Sequence, residues 1–247
     1  MTWILSFDIS TQQTVITLGK IHSELDSRCE LIVWDEEHAQ TNQTADRLIP
    51  KIETLIKTAG LSLKDIDIIA CGKGPGTFTG SRVAIATAKG LALGLSRPIY
   101  GVSTLVSLAA TAQHSGPVIA ILNAQKSEVY SSCFQCHITA QHPETARISP
   151  QTSEECTTLE KALTLPLQIF PNSRNVSLIA AGFTNFALPK QNFLQIQVVA
   201  GVSPLGLWSA TLHTLHHERA ADLATLNATY LRPSYAELNK VTLTDRQ

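Results

Sequence analysis

The sequence has no excess of charge of either sign. Against 20 Asp and Glu stand 19 Lys and Arg in 247 residues, a formal net charge of -1, and charged residues make up only 16% of the chain. There is no basic arm, so the counterion-release term that dominates dedicated nucleic-acid binders is missing, and a role with tRNA or DNA would need a partner. Cysteine is sparse and odd in number, at Cys29, Cys71, Cys133, Cys136 and Cys156, which argues against a disulfide framework in a chain long enough to bury a core. The stretch Met1-Thr2-Trp3-Ile4-Leu5-Ser6-Phe7-Asp8 has neither a basic cluster nor a sustained apolar run, so it does not read as a secretory leader, and a cytoplasmic protein is expected. Residues Pro98 to Gln125 carry no charge, but Ser103, Thr104, Ser107, Thr111, Gln113, His114, Ser115 and the Gly116-Pro117 break mark protein interior rather than a membrane span.

What is present is a hydrophobic content of 44%, enough for a sizeable core, and at about 150 residues per domain the length suits one large domain or two small ones. Trp3 to Phe7 and Thr14 to Leu18 read as a hairpin, Leu31 to Trp34 as a third strand and Ile66 to Cys71 as a fourth. From Ala45, apolar positions Leu48, Ile49, Ile52, Leu55 and Ile56 recur every three or four residues, a one-faced helix that Gly60 ends, with Pro50 bending it or marking its first turn. A second helix is expected over Ser81 to Leu95 and a strand over Ile99 to Val102. The pattern then starts again. A helix over Thr104 to Gln113 leads to strands at Val118 to Leu122 and Val129 to Phe134, a loop over Ala140 to Ser149, and a helix over Ser153 to Ala162. Strands at Leu178 to Ala181 and Leu194 to Val199 follow, and a last helix runs from Pro204 to His217 with proline at its start. This order predicts two α/β lobes, residues 1–105 and 106–247, with the last helix packing back on the first.

Two stretches carry the candidate chemistry. Gly72-Lys73-Gly74-Pro75-Gly76-Thr77-Phe78-Thr79-Gly80 lies between a strand and a helix, where glycines let main-chain N-H groups approach a phosphate, or simply make a tight connection. It is neither a P-loop nor a G-x-G-x-x-G motif, since no Lys-Ser/Thr pair follows the last glycine and Thr79 stands where a third glycine belongs. Asp8-Ile9-Ser10-Thr11 puts an acid and two hydroxyls at the end of the first strand, suited either to a metal-bound water and phosphate oxygens or to local turn capping.

These stretches together with the Leu48-Ile49-Pro50 helix, Ala86-Thr87-Ala88-Lys89-Gly90-Leu91-Ala92 and Gly101-Val102-Ser103-Thr104-Leu105 closely resemble the TsaB (YeaZ) family. The resemblance is close over residues 3 to about 130 and loose beyond. It implies the two-lobed actin-like, sugar-kinase and Hsp70-type ATPase fold with a duplicated ribonuclease H-like core. It also implies a part in making threonylcarbamoyladenosine (t6A) in tRNAs that read codons beginning with A. In the family the paralogue TsaD transfers the threonylcarbamoyl group, the ATPase TsaE assists turnover, and TsaB supports TsaD through a helical bundle that a second copy can also use. By that resemblance Asp8, Ser10, Thr11, Gly74, Gly76 and Thr77 are a remnant phosphate site, and Leu48, Ile49, Ile52, Arg82, Ala84, Ala88 and Lys89 are the partner face. No cofactor is required, with ATP or ADP bound weakly, if at all, where the lobe meets its partner. No catalytic residue or metal ligand is expected in this chain. The alternative is an active ATPase or small-molecule kinase of the same fold, for which Ala180-Ala181-Gly182-Phe183-Thr184-Asn185 is the one candidate second phosphate loop.

Several departures and local motifs bear on this expectation. The family's Asp-Ala-Arg before Glu-Val-Tyr is here Asn123-Ala124-Gln125 before Glu128-Val129-Tyr130. Tyr230-Leu231-Arg232 looks like the family's ending, with Ala228 in place of a proline. The His-x-x-x-His of TsaD falls on Thr104 and Leu108, which cannot replace two imidazoles. The small residues Gly80, Ala84, Ala88 and Ala92 recur every four positions, as a helix contact or as internal packing would require. Cys133-Phe134-Gln135-Cys136-His137 spells the c-type haem attachment motif, but residues three apart on a strand face opposite sides, a difficulty shared by zinc bound through this cluster and His142. His213, His216 and His217, beside Glu218, read as a solvated helix face rather than a chelate.

Overall fold

The computed structural model describes residues 1–22, 29–38, 44–125, 127–139, 142–173, 175–183 and 193–232. Strands β1 (Thr2–Asp8) and β2 (Gln13–Ile21) form the expected hairpin, and β3 (Cys29–His38) pairs antiparallel with β2. On the other side of β1 lie β4 (Ile68–Gly74) and β5 (Ile99–Ser103), both parallel, giving the order β3-β2-β1-β4-β5. The second sheet repeats this arrangement. There β6 (Gly116–Gln125), β7 (Glu128–Thr139) and β8 (His142–Pro150) are antiparallel neighbours, and β10 (Ser177–Ala181) and β11 (Gln195–Val199) follow β6 in parallel. Written outward from β8 the order is β8-β7-β6-β10-β11, so each strand of the first sheet has a counterpart and the ribonuclease H-like core is duplicated.

Central strands are apolar because both faces are covered. Helix α1 (Thr44–Thr58) and helix α2 (Phe78–Leu95) pack on the outer face of the first sheet, burying Leu48, Ile52, Leu55, Ile56, Ala84, Ala88 and Ala92 against Phe7, Ile16, Leu18 and Ile69. Gly60, at φ +72°, ends α1 as expected: its N-H and that of Leu61 close back on the Lys57 and Ile56 carbonyls. Pro50 lies in the second turn of α1 rather than the first.

Helices α3 (Thr104–Thr111) and α5 (Pro204–His217) lie between the two sheets and pack on each other, α5 also touching β2, β5 and β8. Their close approach depends on Gly206, where a Cβ would come within 2.0 Å of Thr111 Oγ1. The uncharged stretch is thus β5, helix α3, buried from Thr104 to Ala110, and β6. Among the described residues no helix is long and apolar enough to cross a membrane.

Two sequence expectations are corrected. The loop expected over Ala140 to Ser149 is mostly strand β8, an edge strand in which, among the described side chains, the alternate residues Ala146 and Ile148 are buried. The helix expected from Ser153 begins later: Glu155–Thr158 is strand β9, paired with β7, and the helix is α4 (Leu159–Ile169), capped by the Thr158 side chain.

Candidate functional site

Asp8 ends β1 and is 1% exposed. Its Oδ1 accepts the Ser10 backbone N-H at 2.6 Å and the Ser10 hydroxyl, while Oδ2 accepts the Thr104 hydroxyl at 3.1 Å. Burial pushes the Asp8 carboxyl above its ordinary range, against the lowering effect of these bonds. Thr104 is therefore used here to hold Asp8, with the Ser10 and Thr104 hydroxyls 2.7 Å apart.

The glycine motif closes over this turn. A Cβ at Gly72 would lie 2.3 Å from the Asp8 carboxyl carbon, one at Gly76 2.2 Å from the Ser10 carbonyl oxygen and one at Gly80 2.0 Å from the Ile9 carbonyl oxygen. Thr77 N-H donates to the Ser10 carbonyl at 2.7 Å, and the Thr77 side chain caps α2 by accepting from Gly80 N-H. The Thr11 hydroxyl is engaged with Gln13, and the residue lies beneath Gly201, where a Cβ would meet Thr11 Oγ1 at 2.3 Å. Only Gly74, at φ +90°, needs glycine for its backbone conformation. The structure thus brings together Asp8, Ser10, Thr11, Gly74, Gly76 and Thr77, and the close approach its glycines permit is to the chain's own first turn.

A segment that sequence reasoning noticed only as a resemblance covers this region. Residues 218–232 leave α5 and cross back to the first sheet. Ala221 bridges to Ile99, Leu226 enters the core under α2, and Thr229 N-H donates to the Lys73 carbonyl at 2.7 Å. Arg82 Nε donates to the Tyr230 hydroxyl at 2.6 Å, and its guanidinium lies 3.5 Å from the Phe78 ring centroid. Arg232 then reaches the second sheet, pairing with Glu128 at 3.3 Å. Nearby, the Ser103 hydroxyl donates to Glu154, whose carboxyl burial pushes up. The strap has little apolar periodicity, so its docking left almost no signal in the sequence beyond Tyr230.

The residues expected on a partner face divide. Leu48, Ile52, Ala84 and Ala88 are 0 to 1% exposed and belong to the core, because they point at the sheet. They cannot touch a partner while the lobe is folded. Ile49 and Arg82 are exposed and Lys89 is half-buried. The row Gly80, Ala84, Ala88 and Ala92 is therefore internal packing. A parallel row two residues on, Ala86, Gly90 and Gly94, faces outward: Ala86 is exposed, a Cβ at Gly90 or Gly94 would meet nothing within 4 Å, and the adjacent Leu93 is 70% exposed.

The remaining motifs resolve by face. Cys133 lies in the core under α4 and Cys136 in the core between the sheets, each thiol pushed up to about 12 by burial. No group of three or more His, Cys, Asp and Glu suited to a metal ion occurs among the described residues. The His142 side chain, and Thr184 and Asn185 of the candidate second phosphate loop, lie outside the described residues. His216 and His217 are exposed, but His213 is half-buried, which corrects its assignment to a solvated face. Desolvation, followed by the neighbouring His217 and His216, brings its pKa down to about 4.

Comparison with known proteins adds an independent line. The family model described as "TsaD: tRNA N6-adenosine threonylcarbamoyltransferase" matches residues 37–240. The chain is 36% identical over 138 residues to the tRNA threonylcarbamoyladenosine biosynthesis protein TsaB of Escherichia coli, covering 53% of this chain and 54% of that protein. It is 31% identical over 125 residues to the protein of the same name from Haemophilus influenzae, covering 47% and 53%. The chain thus spans about half the length of the curated relatives it matches. Among solved structures, YeaZ from Pseudomonas aeruginosa superposes with a TM-score of 0.73 at 25% identity, over 94% of this chain and 100% of that one.

Proposed function

Because this chain belongs to the TsaD family, and within it to the TsaB (YeaZ) branch, we propose that it is the non-catalytic subunit that supports t6A formation in tRNA by holding a TsaD-type partner. The partner transfers the threonylcarbamoyl group from threonylcarbamoyl-AMP to the adenosine beside the anticodon. A TsaE-type ATPase and the tRNA are engaged through the complex, in the cytoplasm. The chain itself requires no cofactor, and ATP or ADP is held at most weakly where its first lobe meets the partner.

One contrast carries the reading. The acid-and-hydroxyl cluster around Asp8 is closed by the chain's own atoms, with Asp8 buried and both carboxylate oxygens engaged, while α2 offers solvent an outward row of small residues beside an exposed leucine. A buried acid that already accepts its hydrogen bonds is poorly placed for turnover, whereas small side chains beside an exposed apolar one suit close helix contact. The same face is available to a second copy when the partner is absent.

Size-exclusion chromatography with light scattering, on the chain alone and with the TsaD-type protein of its own organism, tests the proposal. A heterodimer is expected at micromolar concentrations, and Leu93→Glu should abolish it while keeping the wild-type melting temperature. Absence of a wild-type complex would overturn the proposal.

A further inference from the structure

We propose that the groove between α2 and the C-terminal strap receives a carboxylate from the partner protein, with Arg82 as its anchor. This rests on the reading of the chain as a partner-binding subunit. The groove has a volume of about 520 Å³ and is lined by Arg82, Ala86 and Lys89 of α2 and by Ala228 and Tyr230 of the strap, among others. Among the described residues that line it, both cations are on α2 and none is acidic. Among the described residues neither Arg82 nor Lys89 has a carboxylate partner. Several other cations on this lobe are matched: Lys51 pairs with Asp35 and Glu37, Arg47 with Glu37, and Arg97 with Asp67.

Arg82 is also built for recognition rather than for solvent. Its guanidinium lies against the Phe78 face, with the Tyr230 ring centroid 5.6 Å away on the strap side, and its Nε is held by the Tyr230 hydroxyl. Stacking and this one hydrogen bond fix the side chain before any ligand arrives and leave the terminal nitrogens for a planar acceptor. A carboxylate suits such a fork because it can accept two parallel N-H bonds. The ordering entropy of a long side chain is met within the fold, the condition under which a charged group adds affinity instead of costing it.

Lys89 lies seven residues further along α2, about 10 Å away at 1.5 Å per residue, with Ala86 as a low floor between them. The outward Gly90, Leu93 and Gly94 continue the same face. The occupant is therefore an acidic segment of the partner that crosses the groove while the rest of its surface lies along the small-residue row. The strap is part of this receptor, since Tyr230 is what holds Arg82 in place.

The test measures the affinity of the chain for the TsaD-type partner by calorimetry at low and high salt, for wild type, Arg82→Gln, Arg82→Lys and Lys89→Gln, each checked for an unchanged melting temperature. Loss of an arginine held in place before the partner arrives is expected to weaken binding by about thirtyfold or more, with Arg82→Lys recovering only part of it. The salt dependence should be shallower in Arg82→Gln and in Lys89→Gln than in wild type. Wild-type affinity and salt dependence in both Gln variants would overturn the inference while leaving the subunit reading intact. Lack of any wild-type complex would instead overturn both. Titration of the isolated chain with ATP and with inorganic phosphate is the counter-test: binding that depends on Arg82 would assign the groove to a phosphate and overturn the carboxylate. Should Arg82→Gln unfold, Lys89→Gln still decides the matter, because Lys89 has no carboxylate partner among the described residues to lose.

Discussion

The side-chain Nδ2 of Asn123 donates to the Gly182 carbonyl oxygen at 2.9 Å, joining the end of β6 to the end of β10. In the first lobe the equivalent strand ends are Asp8 of β1 and the Gly72 region of β4, which approach so closely that no Cβ fits at Gly72. The two lobes thus close the same gap with different chemistry. The Asn123 amide donates to Gly182 and accepts from Gln125 N-H at 2.8 Å.

Asn123→Asp should therefore destabilise the second lobe. A carboxylate can still accept from Gln125 but places negative charge against the Gly182 carbonyl instead of a donor. For this exposed bond the expected loss is about 1 kcal/mol, with most of the deficit recovered at acid pH, and urea unfolding at two pH values would measure it.

Gly76→Ala and Gly90→Ala should act in opposite directions. At Gly76 the added methyl collides with the Ser10 carbonyl, where the backbone cannot easily yield, so a loss of about 1–3 kcal/mol is expected. At Gly90 the methyl meets open space in an exposed helix, and a gain of about 0.5–1 kcal/mol is expected from the stiffer unfolded chain. If α2 meets a partner closely, Gly90→Ala should also weaken that complex while stabilising the isolated chain. Thermal melts and complex titrations separate the two effects.

Asp8→Asn tests what the buried acid does. Because burial raises the Asp8 pKa, the folded chain holds this proton more tightly than the unfolded one. Its contribution to stability is therefore greatest at acid pH and declines as pH rises from the ordinary carboxylate range toward the raised value. Asn removes that decline and can still donate to Thr104, so the variant should be at least as stable as wild type at neutral pH. It should also support t6A formation by the assembled complex. Loss of t6A with an intact fold would revive an active role for Asp8 and the ATPase alternative.

His213 predicts the opposite pH dependence. A group neutral in the fold down to about pH 4, but titrating at 6.5 when exposed, contributes stability that is present above 6.5 and lost as pH falls toward 4. Among the described residues its buried Nδ1 has no hydrogen-bond partner. His213→Gln should flatten the acid limb of the stability profile between those values, measured as melting temperature against pH. His217→Gln, at an exposed position, should flatten it far less.

Most of the strands and helices are readable from local pattern. The runs Trp3 to Phe7, Ile66 to Cys71 and Val118 to Leu122 are apolar because both faces of a central strand are covered, and α5 announces itself by Pro204 after the Ser203 cap. Strand β8 escaped because an edge strand needs few apolar residues, here Ala146 and Ile148. Strand β9 escaped because four polar residues beside a helix start look like the helix. That the row 80-84-88-92 packs on the sheet was hidden for a subtler reason. Helix α2 has two rows of small residues, 80-84-88-92 and 86-90-94, and spacing alone does not say which one the sheet covers.

The sequence by itself determined the two α/β units, the helix caps and the scarcity of charge, because these follow from the periodicity and chemistry of residues near one another along the chain. Only the tertiary structure decided what surrounds the candidate residues. Asp8 accepts a hydrogen bond from Thr104, 96 residues away, and Arg82 is held by Tyr230, 148 residues away. Contacts of that span leave no local pattern, since each needs only one side chain of the right type brought up by the packing of everything between.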